Sequence, residues 1–201
     1  MNAYDIVTRF ESRVAEYCGA PYGVAVESCT SALFLCLWKH RLIWGPDTIT
    51  LPCKTYVGVA QAVLLSGHKI QFVDYPWNGL YRLDPVKLWD AARWFTKGIY
   101  DKPGHEICLS FHYQKHLPLG RGGMILTDNK DDAELYRRMR FDGRRAGVPP
   151  KDDDFCQGFH CHMEADVAAR GDLLMNYVKD KYDPLPMDDY ADLSKFEVFR
   201  E

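Results

Sequence analysis

The chain has 201 residues, 47% hydrophobic and 26% charged, with 25 basic residues against 28 acidic ones and a net charge of −3. That length suits one soluble globular domain with a substantial core, and so balanced a charge argues against nucleic acid or membrane partners held by bulk electrostatics. The opening residues lack the apolar core of a signal peptide, and no apolar run reaches transmembrane length, so a cytoplasmic location is expected.

Taken in order, residues 4–18 place Ile6, Phe10, Val14 and Tyr17 at helical spacing, with Gly19 and Pro21 as stop signals. GVAVES (23–28) reads as a strand, and CTSALFLCLWKH after it as a largely buried helix capped by Ser28 or Thr30. Exposed amides at such a strand-to-helix turn suit an anion, although an ordinary N-cap explains them as well. TITLP (48–52), the helix YVGVAQAVLLSG and KIQFVDY (69–75) repeat the alternation. Strands alternating with amphipathic helices predict an α/β sandwich of three layers around a mostly parallel sheet. Ligands in such sheets bind beyond the carboxyl ends of the strands, and Tyr56 lies just past one.

Further along, Asp84-Pro85 is read as the start of a helix through Leu88, Ala92 and Trp94, and KGIYD (97–101) as a brief strand ending on Asp101. EICLSF (106–111) is a strand that feeds SFHYQKHLPLGRGGMILTD (110–128). There Lys115 sits in a polar, aromatic loop before Gly120, Gly122 and Gly123 and a short buried strand. A lysine so placed can act as an amine nucleophile toward a carbonyl. NKDDAE followed by the basic LYRRMRFDGRR complements a helix dipole, residues 162–182 read as a last helix, and 183–201 as an acidic arm.

The seven cysteines form no CxxC pair and no even disulfide framework, which reads as free thiols in a reducing compartment. Cys156, His160, Cys161 and His162 lie close together, but no second pair at finger spacing accompanies them, so no metal site is expected.

Five segments resemble, in order, the DegT/StrS family of sugar aminotransferases, which are pyridoxal-phosphate enzymes of the aspartate-aminotransferase fold. They are FESRVAEYCGAPYGVAVESCTSAL, ITLPCKTYVGVAQAVLLSGHKIQFVDY, LDPVKLWDAA, SFHYQKHLPLGRGGMILTD and GFHCHMEADVAA, covering most of residues 10–170. The resemblance implies that Lys115 is the lysine that forms the aldimine with pyridoxal phosphate and later moves the proton. It implies that Thr30, Ser31 and Ser110 hold the phosphate and that Tyr56 stacks on the ring. A homodimer with shared sites is implied too, as are a small-molecule amino donor and a keto-sugar acceptor, nucleotide-linked by family habit.

The departures matter as much. The family's Asp-Ala-Ala-Gln motif is read as missing from a much shortened segment before Ser110. Asp101 is the acid whose setting resembles the missing one, and it equally suits a turn before Lys102-Pro103-Gly104. His160 stands where the family has an asparagine that crosses the dimer to the phosphate, and Arg121 where it has a glutamate. Residues 1–182 are expected to form a shortened cofactor-binding large domain, 183–201 the arm, with no small domain. An alternative remains open, a degenerate homologue that keeps the fold and acts as a binding or regulatory protein.

Overall fold

The computed structural model describes residues 3–186 and 189–200. Helix α1 (Ala3–Cys18) leads into β1 (Tyr22–Val26), α2 (Cys29–Trp44), β2 (Thr48–Pro52), α3 (Val57–Leu65) and β3 (Lys69–Val73). Two three-residue strands follow, β4 (Tyr81–Leu83) and β5 (Leu88–Asp90), and then β6 (Glu106–Ser110), β7 (Gly123–Thr127), α4 (Lys130–Met139) and α5 (Ala165–Leu174).

One sheet has the order β1-β7-β6-β5-β4, and β2 pairs with β3 in parallel beside it. A bridge between Thr50 and Asp84, with the Thr50 amide donating to the Asp84 carbonyl at 2.8 Å, joins the two. The α/β architecture expected from the alternation is present, but the expectation of a mostly parallel sheet needs correction. In the larger sheet only β5 and β6 pair in parallel; β1–β7, β6–β7 and β4–β5 are antiparallel. The reason is chain length. A parallel crossover takes roughly a dozen residues, and only residues 84–87 separate β4 from β5. Strands β1, β2, β3, β5 and β6 nevertheless all run one way, with β4 and β7 reversed among them.

Both faces of the sheet are covered, as the period-two side-chain alternation shows. Along β7, Met124 and Leu126 face the core beneath α1 and α5, while Ile125 faces the one beneath α2 and α3. Ile107, Leu109 and Cys108 of β6 divide in the same way. Helix α4 is capped by Asn129, whose side chain accepts from the amides of Asp131 and Asp132, and ends on Arg137 and Arg138, as its charge order predicts. Glu11 of α1 is buried; it accepts from the Ala25 amide at 2.9 Å and pairs with Arg140 and with Arg137 at 3.3 Å. That cluster locks α1 to β1 and α4.

Three elements differ from their sequence reading. Residues 88–90 form a strand and not part of a helix, 97–101 form turns and not a strand, and the last helix spans only Ala165–Leu174. Of the acidic arm 183–201, residues 187, 188 and 201 lie outside the described ones. The described part packs back on the sheet, with Phe199 buried against Phe72 and the Leu193 amide donating to the Cys53 carbonyl at 2.8 Å. No described helix is long and apolar enough to cross a membrane.

Candidate active site

A cavity of about 250 Å³ opens at the carboxyl ends of β1, β2, β5 and β6. Because those strands share a direction, the turns leaving them converge on one edge of the sheet. Ser28, Cys29 and Thr30 come from the turn into α2, Thr55 and Tyr56 from the turn into α3, and Asp90 from the last position of β5. Ser110 ends β6, and Lys115 stands in the loop after it.

The wall near α2 requires glycine. Gly122 has φ +143° and bridges Ser28, and a Cβ on Gly123 would meet the Ser28 carbonyl carbon at 2.4 Å. Only glycine lets the start of β7 lie that close to the helix N-terminus. Ser28 caps α2 by accepting from the Ser31 amide at 3.1 Å.

At the floor, Asp90 is the one carboxylate among the described residues lining the cavity, and it is only 5% exposed. Its Oδ2 accepts from the Tyr81 hydroxyl at 2.9 Å and its Oδ1 from the Ala92 amide at 2.9 Å, while the Cys29 thiol lies 3.9 Å from Oδ1. Burial raises its pKa above the usual carboxylate value, and the Ala92 amide, the Tyr81 hydroxyl and the charge of Lys115 pull it back. The same Lys115 charge acts on Cys29, whose thiol is pushed well up by burial and by Asp90. The amine and the carboxylate therefore face one another's field across one small space.

The expected site residues divide into two groups. Thr30, Tyr56, Ser110 and Lys115 line the cavity together. Ser31 stands behind its wall, where its hydroxyl bonds Glu27 at 3.1 Å and Ser28 at 2.8 Å. Asp101 lies on the surface, ion-paired with Lys102 at 2.6 Å, in a different depression beside Thr96 and Lys97. His160 is exposed, paired with Asp142 at 3.0 Å, and does not reach the cavity of its own chain. Arg121 does line the cavity and pairs with Glu27.

The sequence reading passed over Asp90. Asp90-Ala91-Ala92 are three residues of the motif taken to be missing, with Arg93 in place of the glutamine. The signal was hidden because Leu88 and Ala92 also fit a helical spacing. Arg93 and Tyr190 line the same cavity and were not anticipated either.

The residues present fit pyridoxal phosphate. An amine and a buried carboxylate share the space, the Thr30 hydroxyl stands at the N-terminus of α2, which suits a dianion, and the Ser110 hydroxyl comes to the same cavity from the end of β6. A Cβ on Gly58 would come within 2.8 Å of the Thr30 hydroxyl and 2.6 Å of the Tyr56 ring, so the missing side chain is what leaves that corner open. Among the described residues no cluster of three or more His, Cys, Asp or Glu side chains could hold a metal ion.

Both the sequence and the fold are similar to those of known proteins. The profile of the DegT/DnrJ/EryC1/StrS aminotransferase family matches residues 1–101 and 102–181. The spore coat polysaccharide biosynthesis protein SpsC of Bacillus subtilis (strain 168) is 28% identical over 179 residues, covering 68% of this chain and 46% of that protein. The UDP-2-acetamido-2-deoxy-3-oxo-D-glucuronate aminotransferase of Pseudomonas aeruginosa is 35% identical over 106 residues, covering 52% of this chain and 29% of the relative. In fold, the chain is similar to the crystal structure of the sugar aminotransferase CalS13 from Micromonospora echinospora, with a TM-score of 0.72 and 20% identity over 86% of this chain and 60% of that one. The chain thus spans less than half the length of the two sequence relatives.

Proposed function

This chain belongs to the DegT/DnrJ/EryC1/StrS aminotransferase family, and on that premise we propose that it binds pyridoxal phosphate and transfers an amino group from a small-molecule donor to a keto-sugar, one linked to a nucleotide. The observation that carries the reading is the presence of Lys115 and the buried Asp90 in one cavity beside the Ser28–Thr30 turn.

Pyridoxal phosphate bound there would supply a carbonyl that condenses with amines and a ring that takes up electrons. Lys115 would supply the amine for that condensation and would carry a proton to and from the reacting carbon. Asp90 would hold a proton at the ring nitrogen. Thr30 and Ser110 would donate to the phosphate, and Tyr56 would cover an open ring face. Ser31, which accepts from the Ser28 hydroxyl and donates to Glu27, would hold the turn that carries Thr30. The cofactor-binding unit is residues 1–182. Two copies assemble, with His160 offered at the surface to the neighbour's phosphate, in the cytoplasm.

The test is titration of purified protein with pyridoxal phosphate. A visible absorbance band that borohydride bleaches while leaving the cofactor covalently attached to Lys115, and that Lys115→Ala abolishes, is the expected result. No cofactor binding at all sinks the proposal.

Arg93 favours a second reading. It lines the cavity where the family's motif has glutamine, which suits a protein that keeps the cofactor pocket without turnover. Amino donors discriminate, because only a transaminase converts the bound carbonyl form to the amine form.

A further inference from the structure

The short connection between β4 and β5 has a consequence inside the cavity floor. The four-residue turn sets an antiparallel register in which Tyr81 stands directly opposite Asp90. Residues paired in this way point to the same face of a sheet, and here both are buried. The Tyr81 hydroxyl lies 2.9 Å from Asp90 Oδ2 and 2.7 Å from Thr55 Oγ1. A phenol has one hydrogen. If it is given to the carboxylate, the Thr55 hydroxyl must donate to the Tyr81 oxygen, and the three groups form a directed chain from Thr55 through Tyr81 to Asp90. The Trp77 ring, 4.8 Å from the Tyr81 ring, holds the phenol from the other side.

We propose that Tyr81, backed by Thr55, is the positioning residue that keeps Asp90 a charged acceptor aimed into the cavity. This rests on the reading of Asp90 as the partner of the ring nitrogen, and extends it to a residue outside the motif that carries Asp90. The groups that face Asp90 are Cys29 from α2, Cys108 from β6, Tyr81 from β4 and Lys115 from the loop after β6. Cys29 and Cys108 are buried, with their thiol pKa values well above the usual range, so both remain protonated. Lys115 is the charge that acts on it across the cavity, whose wall also holds Arg93 and Arg121. Tyr81 and the Ala92 amide are the donors at 2.9 Å to this buried carboxylate, with the Cys29 thiol at 3.9 Å. Replacing Tyr81 by phenylalanine keeps the ring and removes only the donor, which makes Asp90 the stronger base and draws the shared proton from the ring nitrogen onto the carboxylate.

The experiment begins with the cofactor-free protein, ¹³C-labelled at aspartate carboxyl carbons and titrated by NMR, with Asp90→Asn identifying the signal. Loss of a hydrogen bond to a charged group should move the Asp90 titration upward by about one to two pH units in Tyr81→Phe. Thr55→Val should move it in the same direction by less. Thermal unfolding verifies that each variant is folded, and Thr55→Val carries the test alone if Tyr81→Phe is not. Binding of ¹⁵N-labelled pyridoxal phosphate then shows the ring-nitrogen signal displaced toward unprotonated pyridine in the variants. An Asp90 titration that stays at the wild-type position in the folded variants overturns the inference. Failure of the wild-type protein to bind the cofactor overturns the proposed function instead, and the carboxyl titration still decides the role of Tyr81.

Discussion

Arg93 Nη1 donates to the hydroxyl of Tyr190 at 3.3 Å, joining the turn after β5 to a residue 97 positions later. The Leu185 amide donates to the Arg93 carbonyl at 2.9 Å on one side of Tyr190, and Asp192 bridges Lys54 on the other. The Tyr190 ring stacks on Trp77 with centroids 6.2 Å apart and planes 22° apart. The acidic C-terminal segment thus supplies an aromatic side chain to the wall of the cavity that holds Lys115. Tyr190→Ala should weaken pyridoxal phosphate binding roughly tenfold, about 1.4 kcal/mol, by opening that wall to water. Tyr190→Phe keeps the stack and should lose only a few-fold. Cofactor titration followed by absorbance checks both.

Lys115→Ala should abolish the borohydride-fixed label and reduce amino transfer by about 10²–10⁴-fold or more, the range for loss of a positioned proton carrier. Mass spectrometry of the reduced protein checks the first expectation, and single-turnover kinetics the second.

Asp90 and Asp101 should separate cleanly. Asp90→Asn is expected to lower amino transfer by about 100-fold or more. Asp101→Asn should stay within about twofold, because its pair with Lys102 is exposed and such pairs contribute little. Parallel kinetics of the two variants decide between the acid in the cavity and the one on the surface.

The same carboxylate predicts a pH dependence of stability. The folded-state pKa of Asp90 is raised, chiefly by burial. A raised carboxylate binds its proton more tightly in the folded state, so folding is favoured while it is protonated. That advantage fades as pH climbs through the unfolded value of about 4 to the folded one. Asn in its place carries no such penalty. Asp90→Asn should therefore be more stable than wild type at neutral pH, with the difference shrinking as pH falls toward about 3. Urea unfolding across that range measures it.

Glu11→Ala should cost about 3–5 kcal/mol, since it leaves Arg140 and the Ala25 amide without their buried acceptor. The cavity lies elsewhere, so pyridoxal phosphate affinity of the folded variant should change little. Urea midpoints and cofactor titration check the two halves of that expectation.

By itself, the sequence determined the elements whose signals are local. The helical spacing of Phe10 and Val14, the cap at Ser28, the charge order of α4, and the apolar runs of β1, β2, β6 and β7 each follow from neighbouring residues. So does the setting of Lys115, between a strand that ends on Ser110 and the glycines that admit β7 against α2. The tertiary structure decided the rest. Three residues of β4 and three of β5 are too few to show a period of two, and Leu88 and Ala92 imitate a helix, so Asp90 was hidden in a segment of the wrong type. Pairing with β6 on one side and with β4 on the other, where Tyr81 stands opposite Asp90, makes that segment a strand whose last side chain lines the cavity. Asp101 and His160 had plausible sequence neighbours, but distance along the chain says nothing about which edge of a sheet a turn reaches. Tyr190 and Arg93 meet because the chain returns across the sheet, a contact between residues so far apart that no local pattern encodes it.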